Sequence, residues 1–283
     1  MNIPGGIQLA VTALVAVFLA VSAGARPPGP GASVTVWAGN LPNVDNIAFA
    51  ADGTLYLTLE RITPLGKVLK ISGGSVTKVL GGLHRPDGLL LDNDALFLTE
   101  EVRSGRVLRM DLATGDTTVL ARLRSPEGID RLPNGDLVIA EDAENGRVMQ
   151  LHRDANGKVR QKVLADGLKR PEGLAVTADG TVLVAETASG KVLAIRDGNP
   201  PRIVAEGLNQ PDQVEVAPDG SIWISEDAHP GRVLRVKDGD LRVMLKNLNA
   251  PQGIAFGPDR AVYISEQGEN RILRFVPPAV SIK

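Results

Sequence analysis

The chain has 283 residues, a formal net charge of −2, no cysteine and only 3% aromatic residues. These figures exclude disulfides, thiolate metal ligands and a cysteine nucleophile. They also leave no basic run for nucleic acid or an anionic membrane surface, and no aromatic platforms for base stacking.

In chain order, residues 7–21 are an apolar run followed by the small residues Ser22, Ala23, Gly24 and Ala25. An apolar segment ending in small residues is the pattern of a secretory signal, so residues 1–25 are expected to direct export, to a secreted or periplasmic location. The alternative is an uncleaved anchor, because with its flanks the run reaches the shortest length that spans a bilayer; membrane association follows only in that case. Residues 26–32, which include RPPGPG, lack backbone donors at the prolines and form a linker.

From residue 33 the sequence repeats. Residues 170–195 read RPEGLAVTADGTVLVAETASGKVLAI: a Pro-acid-Gly opening, an apolar strand, an Asp-Gly turn, a second strand ending in Glu186 and a third starting at Lys191. Asp-Gly between apolar runs marks a hairpin, because the turns that match strand twist need positive φ. Residues 202–205 supply a fourth strand, so one unit is a four-stranded antiparallel meander. The residue after the opening proline position recurs as Asp45, Asp87, Glu127, Glu172, Asp212 and Gln252. Units of about 40 residues with four short strands are the mark of a β-propeller. Six openings predict an all-β, six-bladed propeller over residues 33–283.

The sixth unit contains only three strands before Pro277-Pro278, whereas residues 33–41, SVTVWAGNL, match the fourth strand of the other units. The N-terminal strand is therefore expected to complete the last blade and close the ring without a disulfide.

Most repeated polar residues read as scaffold. Asp52, Asn134, Asp179, Asp219 and Asp259 stand where a turn former is required. Glu60, Glu100, Glu141, Glu186, Glu226 and Glu266 end second strands and face Lys67, Arg106, Arg147, Lys191, Arg232 and Arg271 at hairpin spacing, which predicts an ion pair in every blade.

The strand nearest the axis of a propeller is the first of each blade, so Asp45, Asp87, Glu127, Glu172 and Asp212, with Gln252, form a ring around one channel mouth. Five converging carboxylates demand protons or a cation. An oxygen-only set suits calcium, or another hard divalent ion, better than zinc. Against this stands a hydrated mouth in which the acids merely cap turns. Asp130 and Glu215 replace residues that are small or apolar in the other blades; three positions beyond ring acids, they are expected on the opposite pleat face, as interblade polar groups or solvated substitutions. His84 precedes the ring residue Asp87 and is a candidate base; His229 lies in a loop on the same face, and His152 in a turn on the other. No nucleophile elbow, zincin helix or phosphate-binding loop is present.

The units at residues 170–195 and 210–236 resemble two groups of propellers, NHL repeats and the senescence-marker protein/gluconolactonase family, over residues 33–276. The second resemblance implies a six-bladed fold with calcium in the channel, polarising a lactone, ester or phosphoryl oxygen. By position it implies Asp45, Glu172 and Asp212 as metal ligands, and Glu127 completes the candidate set from the ring. Asp87 is then the candidate for activating water, with His84. This ring carries no asparagine, and Asn46 stands one position late, where four of the other five units have glycine. The function expected is an exported calcium-dependent hydrolase of a lactone or similar ester. The alternative is a non-enzymatic NHL-type propeller that binds a protein, peptide or glycan at the mouth, through the loops around Arg103, Asp142 and His229. A lyase of the streptogramin-inactivating type is similar in repeat style but is expected to have seven blades.

Overall fold

A computed structural model describes residues 31–61 and 64–278; the signal, or anchor, segment and most of the linker lie outside them. Six four-stranded antiparallel sheets follow one another around a central axis. The inner strands are Val44–Phe49, Pro86–Asp92, Pro126–Arg131, Pro171–Val176, Pro211–Val216 and Pro251–Phe256. Each is followed by a second strand, a third and an outer fourth, so that blade 1 spans residues 44–83 and blade 5 residues 211–248.

Blade 6 takes its outer strand from the start of the chain. Ser33–Ala38 pairs antiparallel with Arg271–Val276, Ser33 opposite Val276 and Val36 opposite Leu273. Val34 and Val36 pack on a core cluster that contains Ile264, Leu273 and Phe275, so this closure buries apolar surface as well as pairing backbone. The second strands are buried almost throughout, and the layers between neighbouring blades hold the core.

The turn residues behave as scaffold. Side-chain oxygens of Asp52, Asn134, Asp179 and Asp219 accept the backbone N–H two residues on, at 2.9–3.1 Å. The blade glutamates do more than pair with cations. Glu100, Glu141, Glu226 and Glu266 bond Arg106, Arg147, Arg232 and Arg271 at 2.5–2.6 Å. Each of these four, and Glu186, also accepts the N–H of the residue two before the inner-strand proline, at 2.8–2.9 Å. The glutamate thus clamps the opening of its own blade.

Blades 1 and 4 depart from the expected ion pair. In blade 1 Lys67 lies opposite Leu59, one position short of Glu60, and Glu60 turns instead to Arg85 Nε at 2.6 Å. In blade 4 Lys191 stands opposite Glu186, but Glu186 is engaged by the Ser189 hydroxyl and the Lys169 N–H.

All six inner strands carry a bulge at the same place. Pairing to the second strand skips between Pro126 and Ile129 in blade 3, for example, so that residues 127 and 128 together oppose Ala140. The same shift occurs between Val44 and Ile47, Pro86 and Leu89, Pro171 and Leu174, Pro211 and Val214, and Pro251 and Ile254. A bulge re-aims the side chains it contains, and here it contains every ring residue. The glycine after the ring acid follows from crowding. A Cβ on Gly88 would overlap the Glu127 carbonyl oxygen of the next blade, and one on Gly128 would stand 2.7 Å from the Glu172 carbonyl oxygen. Second-strand hydroxyls bridge the same seams: Thr99 Oγ1 donates to the Glu127 carbonyl at 2.6 Å.

Candidate metal centre at the channel mouth

The ring forms as the sequence implies. Asp45, Asp87, Glu127, Glu172 and Gln252 are buried around one mouth, and Asp212 is partly exposed there. Their carboxyls all sit above the usual carboxylate range, first because of burial and then because of one another. Burial and the Glu60 and Asp212 charges raise Asp45; burial and the Asp45 and Glu101 charges raise Asp87. Burial and Glu172 raise Glu127, and Asp212 is raised likewise. Glu172 is pushed up to about 7 by burial, against the hydrogen bond from Thr187 Oγ1 at 2.6 Å.

A second tier of polar groups, not recognised as such in the sequence, stands just beyond the ring. It comes from the residue after the blade glutamate: Glu101, Asp142, Thr187, Asp227 and Gln267. Glu101 is 8% exposed, and burial pushes its carboxyl up to about 8. Gln267 Nε2 donates to Asp45 Oδ2 at 3.1 Å and to Glu60 Oε2 at 3.2 Å. Two arginines also enter. Arg85 and Arg170 directly precede the prolines of blades 2 and 4 and hold φ values of 45° and 54°. Arg85 binds Glu60 at 2.6 Å and Glu101 at 2.5 Å. Arg170 binds Asp142 at 2.7 Å and Glu172 at 3.0 Å.

Of the expected ligands, Glu127 and Glu172 meet Asp142 with one oxygen from each within 4.8 Å of the others, and Asp87, Glu101 and Glu127 do the same. Asp45 and Asp212 share the mouth but belong to neither group. Asn46 is not displaced from the ring: the bulge turns it inward, and its Nδ2 donates to Asp87 Oδ1 at 3.1 Å and Asp45 Oδ1 at 3.3 Å. His84 is exposed; its N–H is held by Glu100 at 2.9 Å, and its ring makes no hydrogen bond to a ring carboxylate. His229 is exposed too, and His152 pairs with Asp136 at 2.8 Å, away from the ring.

The bulge also corrects the placement of Asp130 and Glu215. Asp130 pairs with Val138 and thus lies on the same face as residues 127–128, opposite Ala140, two residues along the partner strand. Its Oδ2 accepts the N–H of Val176 from blade 4 at 2.6 Å, the interblade role expected of it. Glu215 is enclosed by protein but keeps some surface on the channel; burial, then the Asp130 charge, hold it up to about 8. Gln213 Nε2 reaches it at 3.2 Å. A separate groove of about 320 Å³ between blades 2 and 3 is lined by Arg109, Arg131 and Arg153. Its charges are met locally, as by Arg131 and Asp92 at 2.9 Å, and none of the ring residues lines it.

Comparison with solved structures places this architecture among known propellers. A gluconolactonase from Xanthomonas campestris superposes with a TM-score of 0.75 at 20% identity, covering 92% of this chain and 96% of that one. The chain has the gluconolactonase-like propeller fold. A streptogramin B lyase matches with a TM-score of 0.66 at 14% identity over 87% of this chain and 97% of that one. An auxiliary nutrient binding protein from Bacteroides thetaiotaomicron gives 0.68 at 14% identity over 84% and 69%. No protein-family profile and no curated protein sequence matches the chain.

Proposed function

We propose that the chain is an exported calcium-dependent hydrolase of a lactone or similar ester, with the ion held at the channel mouth. The observation that carries this reading is the convergence of buried carboxylates at the bulged openings of the inner strands. Their donor set is all oxygen, which suits calcium's six to eight oxygen ligands and flexible geometry. Glu127, Glu172 and Asp142 would hold the ion, with Asp45 and Asp212 across the mouth. When bound, calcium supplies Lewis-acid polarisation of an acyl oxygen.

The chain's own residues supply the rest. Asp87 is oriented by Asn46 at 3.1 Å, and burial with the Asp45 and Glu101 charges raises its carboxyl above the usual carboxylate range. Its carboxylate takes a proton from water as the water oxygen bonds to the acyl carbon. The ring C–O bond then breaks, and the proton passes to the departing alkoxide to give a hydroxy acid. His84, at the rim beside Glu100, stands outside this path.

The second reading is a non-enzymatic NHL-type propeller that binds a protein, peptide or glycan at the mouth. It is favoured by the short, near-uniform loops between second and third strands. A panel of γ- and δ-lactones, followed by proton release with and without chelator, separates the two. The hydrolase reading expects turnover that chelator and Glu172→Gln both abolish. Turnover unaffected by either contradicts it, and ligand capture without turnover supports the binding module.

A further inference from the structure

We infer that the mouth holds two divalent cations side by side, bridged by Glu127. This inference rests on reading the mouth as a cation site and goes beyond it in the number of ions and in the residues that hold them. With both ions bound Asp87 is a ligand, and the base role given to it above belongs to the single-ion state. Asp87, Glu101 and Glu127 make one set of three, and Glu127, Asp142 and Glu172 make the other. Within each set the ligand atoms lie within 4.8 Å of one another. Two oxygens on opposite sides of a calcium ion are about 4.8 Å apart, so each set can close on one ion.

Glu127 separates a cation pair from a simple acidic patch. It is 6% exposed, and its carboxylate has no hydrogen-bond or ionic partner among the described residues. Every other member is anchored by the protein: Asp87 by Asn46 at 3.1 Å, Glu101 by Arg85 at 2.5 Å, Asp142 by Arg170 at 2.7 Å, and Glu172 by Thr187 at 2.6 Å. With its side chain enclosed and no protein partner, this carboxylate opens only onto the mouth, where it belongs to both sets at once.

The two sets are also built alike. Each is held from the rim by an arginine from the same position of the repeat, Arg85 in blade 2 and Arg170 in blade 4, with blade 3 between them supplying Glu127 and Asp142. Charge points the same way. Asp45, Asp87, Glu127, Glu172 and Asp212 of the ring, with Glu60, Glu101, Asp142 and Asp227 beyond it, set nine carboxylates against these two guanidiniums. Seven negative charges are unmatched when all are ionised. One divalent ion leaves five, and a second leaves three. The ligand class is a hard, oxygen-seeking divalent cation, and calcium is the probe.

The test is equilibrium dialysis of the chelator-stripped 283-residue chain against calcium, with bound metal counted by emission spectroscopy. Two calcium ions per wild-type chain are expected. Glu101→Gln and Asp142→Asn should each retain one, and Glu127→Gln less than one. Glu127→Gln removes an unpaired charge from a crowded mouth, so its melting temperature in chelator should equal or exceed that of the wild type. Glu101→Gln and Asp142→Asn also give up an ion pair with Arg85 or Arg170, and a retained cooperative melt in chelator separates lost binding from lost folding for them. One ion per wild-type chain overturns the inference and leaves the single-ion hydrolase reading standing. No ion at all overturns both. Two ions in Glu101→Gln or Asp142→Asn overturn the assignment of the sets.

Discussion

Glu215 offers a way to measure the electrostatics of the channel apart from the proposed ion ligands. It is held up to about 8 from an ordinary 4.5, chiefly by burial. Because its folded pKa is raised, the native state keeps the proton that the unfolded chain has lost, and stability falls as pH rises from about 4.5 to about 8. At about 1.4 kcal/mol per pKa unit the full shift corresponds to ~5 kcal/mol. Channel water screens part of this, so about 2–3 kcal/mol is expected. Glu215→Gln keeps the shape and an acceptor for Gln213 Nε2, 3.2 Å away, but cannot ionise. It should therefore melt about 5–10 °C above the wild type at pH 9, at roughly 2–4 °C per kcal/mol for a chain of this size. At pH 4, where both side chains are neutral, the two should melt together. The ring acids titrate in both proteins and drop out of the difference, whereas Asp130, whose charge raises Glu215, adds to the gap at pH 9. Calorimetric scans in chelator at the two pH values decide the matter. A gap of equal size at both, or none at either, refutes the placement of Glu215 in the channel.

Two further perturbations test how the fold presents the mouth. Gly88→Ala puts a methyl group against the Glu127 carbonyl oxygen and 2.9 Å from Thr99 Oγ1, so it should destabilise the chain by about 1–3 kcal/mol and weaken calcium binding together; an unchanged melt contradicts the crowding argument. Deleting residues 33–38 strips the outer strand from blade 6 and uncovers its edge, at a cost of about 1.5–3 kcal/mol for each of Val34 and Val36 if fully buried. The shortened chain should lose its cooperative melt or associate on gel filtration, and full-length behaviour contradicts closure by that strand.

The blade count, the strand order and the closing strand were legible because each rests on local chemistry repeated around the ring: a proline opening in five of the six blades, and a turn former and an acidic strand end in all six. The ring acids were legible for the same reason. The bulge was not. It carries no residue signature of its own, yet it reverses the parity beyond it, so that Asp130 and Glu215 fall on the pleat face of the bulged ring residues and Asn46 reaches two ring acids. Glu101, Asp142 and Asp227 were hidden behind the scaffold glutamates they follow, although aligning the repeats shows a polar residue there in every blade, beginning with Arg61. Arg85 and Arg170 occupy a position that tolerates Asn43, Ser125, Gln210 and Ala250, all with positive φ, so their reach into the mouth needed the folded backbone to be seen.

The most direct test of the account is the melt of the chelator-stripped chain at pH 8, with and without calcium, for the wild type and Glu172→Gln. At calcium 100-fold above Kd the wild type should gain about 2.7 kcal/mol, or roughly 5–10 °C. Glu172→Gln, which takes a ligand from one of the two sets, should show a clearly smaller gain than the wild type. A wild-type melt that calcium leaves unchanged would contradict the claim that the channel mouth is built to hold a cation.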